Sequence, residues 1–461
     1  MPSNSIISHL KCPTLILIGL YMLGCPEPPP TIADCDPGYL PCEDDQLECC
    51  EVICDEGYHL CGEDSTDCCI DKADCPPGQL PCESDSTICC DIECPPGFVI
   101  GGVDSTECVP IECLPGYYIC GEDSNECCPE ITSHDFTWTV EVLGTWQGEL
   151  KDVAIINEND IWVVGQIKFG QSGFEDSTYN AAHWDGNEWI PVQIPIPSLG
   201  TGGTIVGYHP YMIRTVLSFS NDNVWFSPGG PIMVHWDGTE YQSYVDDYEV
   251  IQDNCVEMWG LNSTNIYRVG YEGTIVKFNG SEFIPMTSPT TVDLRDVWGD
   301  PSGEHVYACG YGATLPSVLL KLKNGTWNIA YQANDQDWST DTIWAFNSRV
   351  WTDDPNKIYV ASGNGIWECP KNTQGQGIYN NGGFSTPTYG FRGQTQGDLI
   401  RVGQLGEVQH YNGQTWYEYG ELANDTDFLL NVDIYWNSAV IVGMRYVNGI
   451  ERYALVIKGT R

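Results

Sequence analysis

From residue 135 to the C-terminus one pattern of residues keeps returning. Residues 255–260 read CVEMWG, followed by NIYRVG, GTIVKFNG and EFIPM; residues 294–299 read LRDVWG, followed by HVYACG and SVLLKLKNGTW. Related runs are DIWVVG with AAHWDGNEWIPV, NVWFSPGGPIMVHWDGTEY, KIYVASGNGIWEC and DLIRVGQLGEVQHYNGQTWYEY. These are short alternating strands rich in Val, Ile, Trp and Tyr, with turn signals about every 8–12 residues. Each unit supplies four strands in roughly 35–50 residues, the period of a β-propeller blade. Seven units begin near residues 147, 211, 253, 292, 342, 389 and 429. The last stops at Arg461 without a fourth strand, and DFTWTVEVLG (residues 135–144) has the missing strand's pattern. The N-terminal segment is therefore expected to close the ring and remove its open edge. The fold class is all-β: a seven-bladed β-propeller over residues 131–461, preceded by a small disulfide-rich stalk.

The repeats resemble the bacterial surface propellers built from VWG, VYAVG and GTIxHWDGxxW units, which are akin to WD40, Kelch and BNR propellers. The resemblance covers roughly residues 135–461 and implies the fold, not an activity. The WD40 Trp-Asp is not matched, because HWDG here leads into the turn between the third and fourth strands. The sialidase Asp-box is not matched either.

The first part of the chain carries another repeat. Copies begin at Cys35, Cys54, Cys75, Cys94 and Cys113, and 18 of the 23 cysteines lie between Cys35 and Cys128. Four copies carry cysteines at the start and seven, fourteen and fifteen residues on. The fourth keeps Cys94 and Cys108 and has Gly101 and Val109 at the other places. An unpaired thiol is a liability in an oxidising compartment, so loss of one partner favours loss of the other. The joint loss pairs second with fourth and first with third. The expected bridges are Cys35–Cys49, Cys42–Cys50, Cys54–Cys68, Cys61–Cys69, Cys75–Cys89, Cys82–Cys90, Cys94–Cys108, Cys113–Cys127 and Cys120–Cys128. Each closes a loop of roughly 10–15 residues, worth about 3 kcal/mol, in units too small to bury a core. Residues 35–130 hold 24 acidic side chains against Lys72 alone, so the string should be elongated and self-repelling, as a stalk is. Zinc is disfavoured by the absence of C-x2-C pairs. Calcium is conceivable on the carboxylates, although no copy has a calcium-loop spacing. No cofactor is assigned.

Residues 1–24 have one lysine, an apolar run and small Gly24 before Cys25, as a signal peptide does. Met22-Leu23-Gly24-Cys25 resembles a bacterial lipobox, which implies lipidation of Cys25, and PEPPP in the 25–34 spacer reads as stiff and extended. The net charge of −45 argues against nucleic acid or an anionic lipid surface as a partner. Membrane contact is expected through the lipid anchor only.

His183, His235 and His410 recur before the aromatic-Asx-Gly turn and read as structural, as do Trp162, Trp225, Trp259 and Trp298. Lys151, Arg214 and Arg295 share one first-strand place, with Asp152, Glu257 and Asp296 at the next. They could ring an axial ligand or water; mutual charge pairing across neighbouring blades is the expectation. Cys255, Cys309 and Cys369 are an odd set, so at least one is a buried thiol. Asn262, Asn279, Asn324 and Asn424 lie in sequons that matter only in a eukaryotic source. Turns between strands one and two, and three and four, are short. Loops on the other face vary widely and carry Phe169, Phe174, Tyr179, Tyr208, His209, Tyr211, Trp338 and Tyr379, the candidate ligand-binding residues. No catalytic triad, nucleophile motif or metal signature can be placed. The reading is a secreted, lipid-anchored surface protein whose loop face binds a protein or glycan. The alternatives are a propeller-type carbohydrate-active enzyme, which would need a carboxylate pair, and a periplasmic assembly factor.

Overall fold

The computed structural model describes residues 132–170, 178–246, 255–312, 316–333, 348–354, 356–363, 365–373, 377–380 and 384–461, with ten short strands between Tyr39 and Pro129. Two compact units divide close to residue 129. In the first, each cysteine-rich copy contributes one two-stranded hairpin: Tyr39–Pro41 with Cys49–Glu51, Tyr58–Cys61 with Asp67–Ile70, Gln79–Pro81 with Cys89–Asp91, Phe98–Gly101 with Glu107–Pro110, and Tyr117–Cys120 with Glu126–Pro129. The expected disulfides, the signal peptide, the spacer and Cys25 lie outside the described residues.

The second unit is a seven-bladed β-propeller of seven four-stranded antiparallel sheets. The innermost strands of blades one to seven are Glu149–Asn157, Thr215–Ser220, Cys255–Asn262, Leu294–Gly299, Arg349–Trp351, Thr388–Thr395 and Asp427–Tyr435. The ring closes as the repeats imply. Thr137–Leu143 pairs antiparallel with Glu451–Thr460, from Thr137 opposite Thr460 to Leu143 opposite Ala454, and completes blade seven. The edge left by the last repeat is thereby covered.

The core lies between blades. Trp162 and Val164 of blade one pack with Val216 and Phe226 of blade two, and Val153 and Ile161 of blade one with Val440 and Val456 of blade seven. The Trp-Gly pair that marks the repeats has an inter-blade origin. A Cβ on Gly299 would lie 2.3 Å from the Trp259 ring of the preceding blade, and one on Gly393 would lie 3.0 Å from Trp351. The glycine clears space for the previous blade's indole. Trp162, Trp225 and Trp259 are buried, and Trp298 packs against three core clusters and donates its Nε1–H to the Thr352 carbonyl at 3.0 Å.

The short turns are built by Asx side chains. Asp185, Asp237, Asn279 and Asn412 each accept backbone N–H bonds from residues two and three ahead. The glycine that follows each takes a left-handed conformation, with φ between 90° and 100°.

Candidate binding site

Three of the repeated histidines make one structural device. His183 lies 2.7 Å from Asp160 and stacks on Trp162; His235 lies 3.0 Å from Asn223 and stacks on Trp225. His410 lies 2.7 Å from Asp398, fully buried. In each blade the third-strand imidazole ties down the Asx residue that opens the second strand. No group of three metal-ligating side chains occurs among the described residues.

The inner strands are stitched by carboxylates. Asp152 accepts the Val216 N–H of the next blade at 2.8 Å, Asp296 accepts Val350 N–H at 2.8 Å, and Asp433 accepts Ile155 N–H at 2.8 Å. Glu257 accepts the Thr215 hydroxyl of the preceding blade at 2.8 Å. The Asp433 bond joins blade seven to blade one, so the ring is closed at its inner as well as its outer edge. Burial raises the Asp152 and Asp433 carboxyls to about 6 and the Glu257 carboxyl to about 8.

This corrects the expectation of charge pairing between neighbouring blades. Lys151 pairs with Glu149 at 3.1 Å and Arg295 with Asp293 at 3.1 Å, each within its own segment. Arg214 makes no ion pair among the described residues. The acids prefer backbone N–H donors because inner strands present these at fixed positions, without ordering a long side chain. Asp296 alone of the three also takes a guanidinium, that of Arg392 two blades on, in a two-pronged contact of 2.7 and 2.9 Å. The cations instead surround a pocket of about 220 Å3 at the axis, lined by Lys151, Arg214, Glu257, Arg295, Tyr311 and Arg349 among others. These residues sit at the starts of inner strands or, for Tyr311, at the end of a second strand. The pocket therefore opens on the face of the long loops.

On that face the segment 197–210, expected to be a loop, forms an additional hairpin, Ile196–Leu199 with Ile205–His209. Its base is rooted in the core through buried Ile194, Ile196 and Ile213. Its tip turns on Gly202 and Gly203, both left-handed at φ 75° and 74°. Ile205, Val206, Tyr208 and Tyr211 are 45, 69, 54 and 50% exposed. His209 is exposed too, with its ring 5.5 Å from that of Tyr211, whose hydroxyl lies 3.0 Å from Ser198 Oγ. The hairpin thus brings His209 and Tyr211 together, with Tyr208 exposed on the same strand as His209. Phe169 and Tyr179 instead pack edge-to-face at 5.5 Å against the core between blades one and seven. Phe174 and Trp338 lie outside the described residues, and only the backbone of Tyr379, in Ile378–Asn380, is described. Sequence reasoning missed Ile205 and Val206; an aliphatic β-branched pair directly after the Gly-rich turn was the available signal.

Cys255, Cys309 and Cys369 are all buried free thiols, with burial lifting each above the ordinary thiol value.

These features define a seven-bladed β-propeller with a built hairpin on its loop face. No family model matches the chain. Over 108 residues it is 32% identical to the immune protein Tsi7 of Pseudomonas aeruginosa, a match covering 23% of this chain and 31% of that protein. The chain thus spans about a third of that relative's length. Among solved structures, it is similar to YCF48 bound to a D1 peptide, with a TM-score of 0.51 and 15% identity, over 72% of this chain and 99% of that one. YCF48 from Cyanidioschyzon merolae superposes with a TM-score of 0.49 and 13% identity, over 70% and 98% of the two chains.

Proposed function

We propose that this protein is a displayed binding module whose loop face holds a protein ligand. In this reading Cys25 carries the lipid anchor, the acidic cysteine-rich repeats form the stalk, and the propeller is the head. The observation that carries it is the hairpin Ile196–Leu199 with Ile205–His209: anchored in the core at its base, with Ile205 and Val206 in solvent beside its turn and Tyr208 and Tyr211 in solvent near its base. Clustered exposed apolar residues on a rigid support mark an interaction surface. Exposed Ile205 and Val206 suit a protein partner better than a glycan, whose hydroxyls they cannot satisfy. The peptide held by YCF48, a propeller of the same architecture, is in keeping with this choice.

The test is a screen of the full chain on surface-protein and glycan arrays, with every hit checked for cleavage. A protein hit held intact, and weakened at least tenfold by Val206→Asp with Tyr208→Ser, is the expected result. Hits that ignore both substitutions would overturn the hairpin as the contact, and cleaved glycans would make the protein an enzyme. Cys25→Ser is expected to release the chain from the membrane fraction.

A further inference from the structure

The axial pocket has a composition at odds with the rest of the chain. Lysine and arginine together number 19 against 64 acids, yet Lys151, Arg214, Arg295 and Arg349, from four different blades, meet around one opening of about 220 Å3. Like charges gathered in a half-enclosed space repel one another, and an arrangement of this kind favours a counter-ion.

The local acids do not supply it in full. Glu149 reaches Lys151 at 3.1 Å but also serves Arg452 at 3.2 Å, and Asp293 meets Arg295 through a single nitrogen at 3.1 Å. Among the described residues the Arg349 guanidinium bonds only to the Ser348 and Leu430 carbonyls, at 2.9 and 3.3 Å. The Nε atoms of Arg295 and Arg349 are buried without a hydrogen-bond partner. Arg214 has neither an ion pair nor a side-chain hydrogen bond among the described residues. The acids that lie deeper are engaged: Asp152 and Asp433 by backbone N–H groups, Asp296 by Val350 N–H and Arg392. Glu257, the carboxyl in the lining, accepts the Thr215 hydroxyl and the Met258 N–H, and burial raises its pKa, which disfavours the charged form.

The geometry is also suited to a planar anion. The Arg295 guanidinium lies between two rings, 5.1 Å from that of Tyr271 and 5.2 Å from that of Tyr311. An oriented guanidinium presents two parallel donors that match the two oxygens of a carboxylate. The volume equals the share of roughly seven waters at about 30 Å3 each, enough for a tricarboxylate or one acidic peptide end.

We infer that the axial pocket is a binding site for a carboxylate ligand, held by Lys151, Arg214, Arg295 and Arg349. The carboxylate comes from a free polycarboxylate or from the acidic end of a peptide, and the site is independent of the hairpin surface proposed above.

The experiment is calorimetric titration of the full chain at low ionic strength. The probes are citrate, a peptide ending in Glu-Asp with a free terminus, the same peptide with neutral residues and a terminal amide, and inorganic phosphate. Saturable one-to-one binding of citrate or the acidic peptide, but not of the neutral peptide, is expected. Citrate alone assigns a small-molecule site; the acidic peptide alone assigns a peptide end. Arg214→Gln is expected to weaken binding at least tenfold. Because Arg214 holds no other group among the described residues, that variant should keep the parent's unfolding temperature. Lys151→Gln should weaken binding as well, while Val206→Asp on the hairpin should leave it unchanged. Three results would overturn the inference: no saturable binding of either carboxylate, binding unaltered by Arg214→Gln, or phosphate bound more tightly than both carboxylates.

Discussion

Glu257 stands where the inner strands of several blades converge, and its proton should be visible in stability. Burial, with Asp152 and Asp296 acting in the same direction, lifts its carboxyl from 4.5 to about 8; Arg392 and Arg349 oppose the shift. The folded chain thus keeps a proton that the unfolded chain releases above 4.5. Stability falls as pH rises from that value and the loss is complete only above about 8. Glu257→Gln retains an oxygen for the Thr215 hydroxyl and the Met258 N–H while removing the titration. Between about pH 5.5 and 8.5 the variant should lose less stability than the parent, by on the order of a few kcal/mol, since one unit corresponds to about 1.4 kcal/mol. Urea midpoints across that range check it, and parallel curves would show that Glu257 is ionised in the fold. Asp433 remains in both proteins, whereas Asp152, whose charge helps to lift Glu257, contributes part of the difference. Sequence spacing placed these acids and the cations of the axial ring in one layer. It could not say which groups meet, because ring neighbours are separated by unequal stretches of chain and the preferred partners are backbone N–H groups.

At the scale of the blade, the Trp-Gly signature is legible as a repeat mark, but its reason is not local. Gly299 serves the indole of Trp259, a residue of the preceding blade. Gly299→Ala should therefore destabilise by roughly 1–3 kcal/mol, the usual range for forcing a methyl group into a packed core. In a cycle with Trp259→Leu the two losses should fall short of additive, because the smaller side chain leaves room for the methyl. Strict additivity would mean that the ring yields freely. The His–Asx clamp was readable because position repeats with the blade. The hairpin was not. Pro197 sits within its first strand and Gly200, Gly202 and Gly203 in and around its turn, a composition that reads as loop. Proline is tolerated in that pairing because the hairpin has two strands and a free edge.

For the molecule as a whole, the number of blades and the closing strand were both contained in the repeats, whereas the axial pocket was not. It exists only once seven unlike units are brought into a ring. The cysteine-rich repeats invite a separate prediction. The second and fourth places are lost together at Gly101 and Val109, and that joint loss is what argues for their pairing. Mass mapping of non-reduced peptides should link Cys61 to Cys69, Cys120 to Cys128 and Cys94 to Cys108. Links between copies would defeat the coupled-loss argument.

The closing strand also decides how the propeller would carry a load. Tension on the chain ahead of residue 132 enters at the Thr137 end of that strand, opposite Thr460. Pulled from there, the ladder would peel rung by rung instead of shearing all at once, a mechanically weak geometry. A clasp precedes it: Thr132 N–H bonds to the Asn412 carbonyl at 3.3 Å, His134 and His410 are in contact at 2.9 Å, and Arg461 reaches the Ser133 carbonyl at 3.3 Å. The first force peak on a tethered molecule would report this knot of terminal contacts, and its rupture would reopen the ring at blade seven.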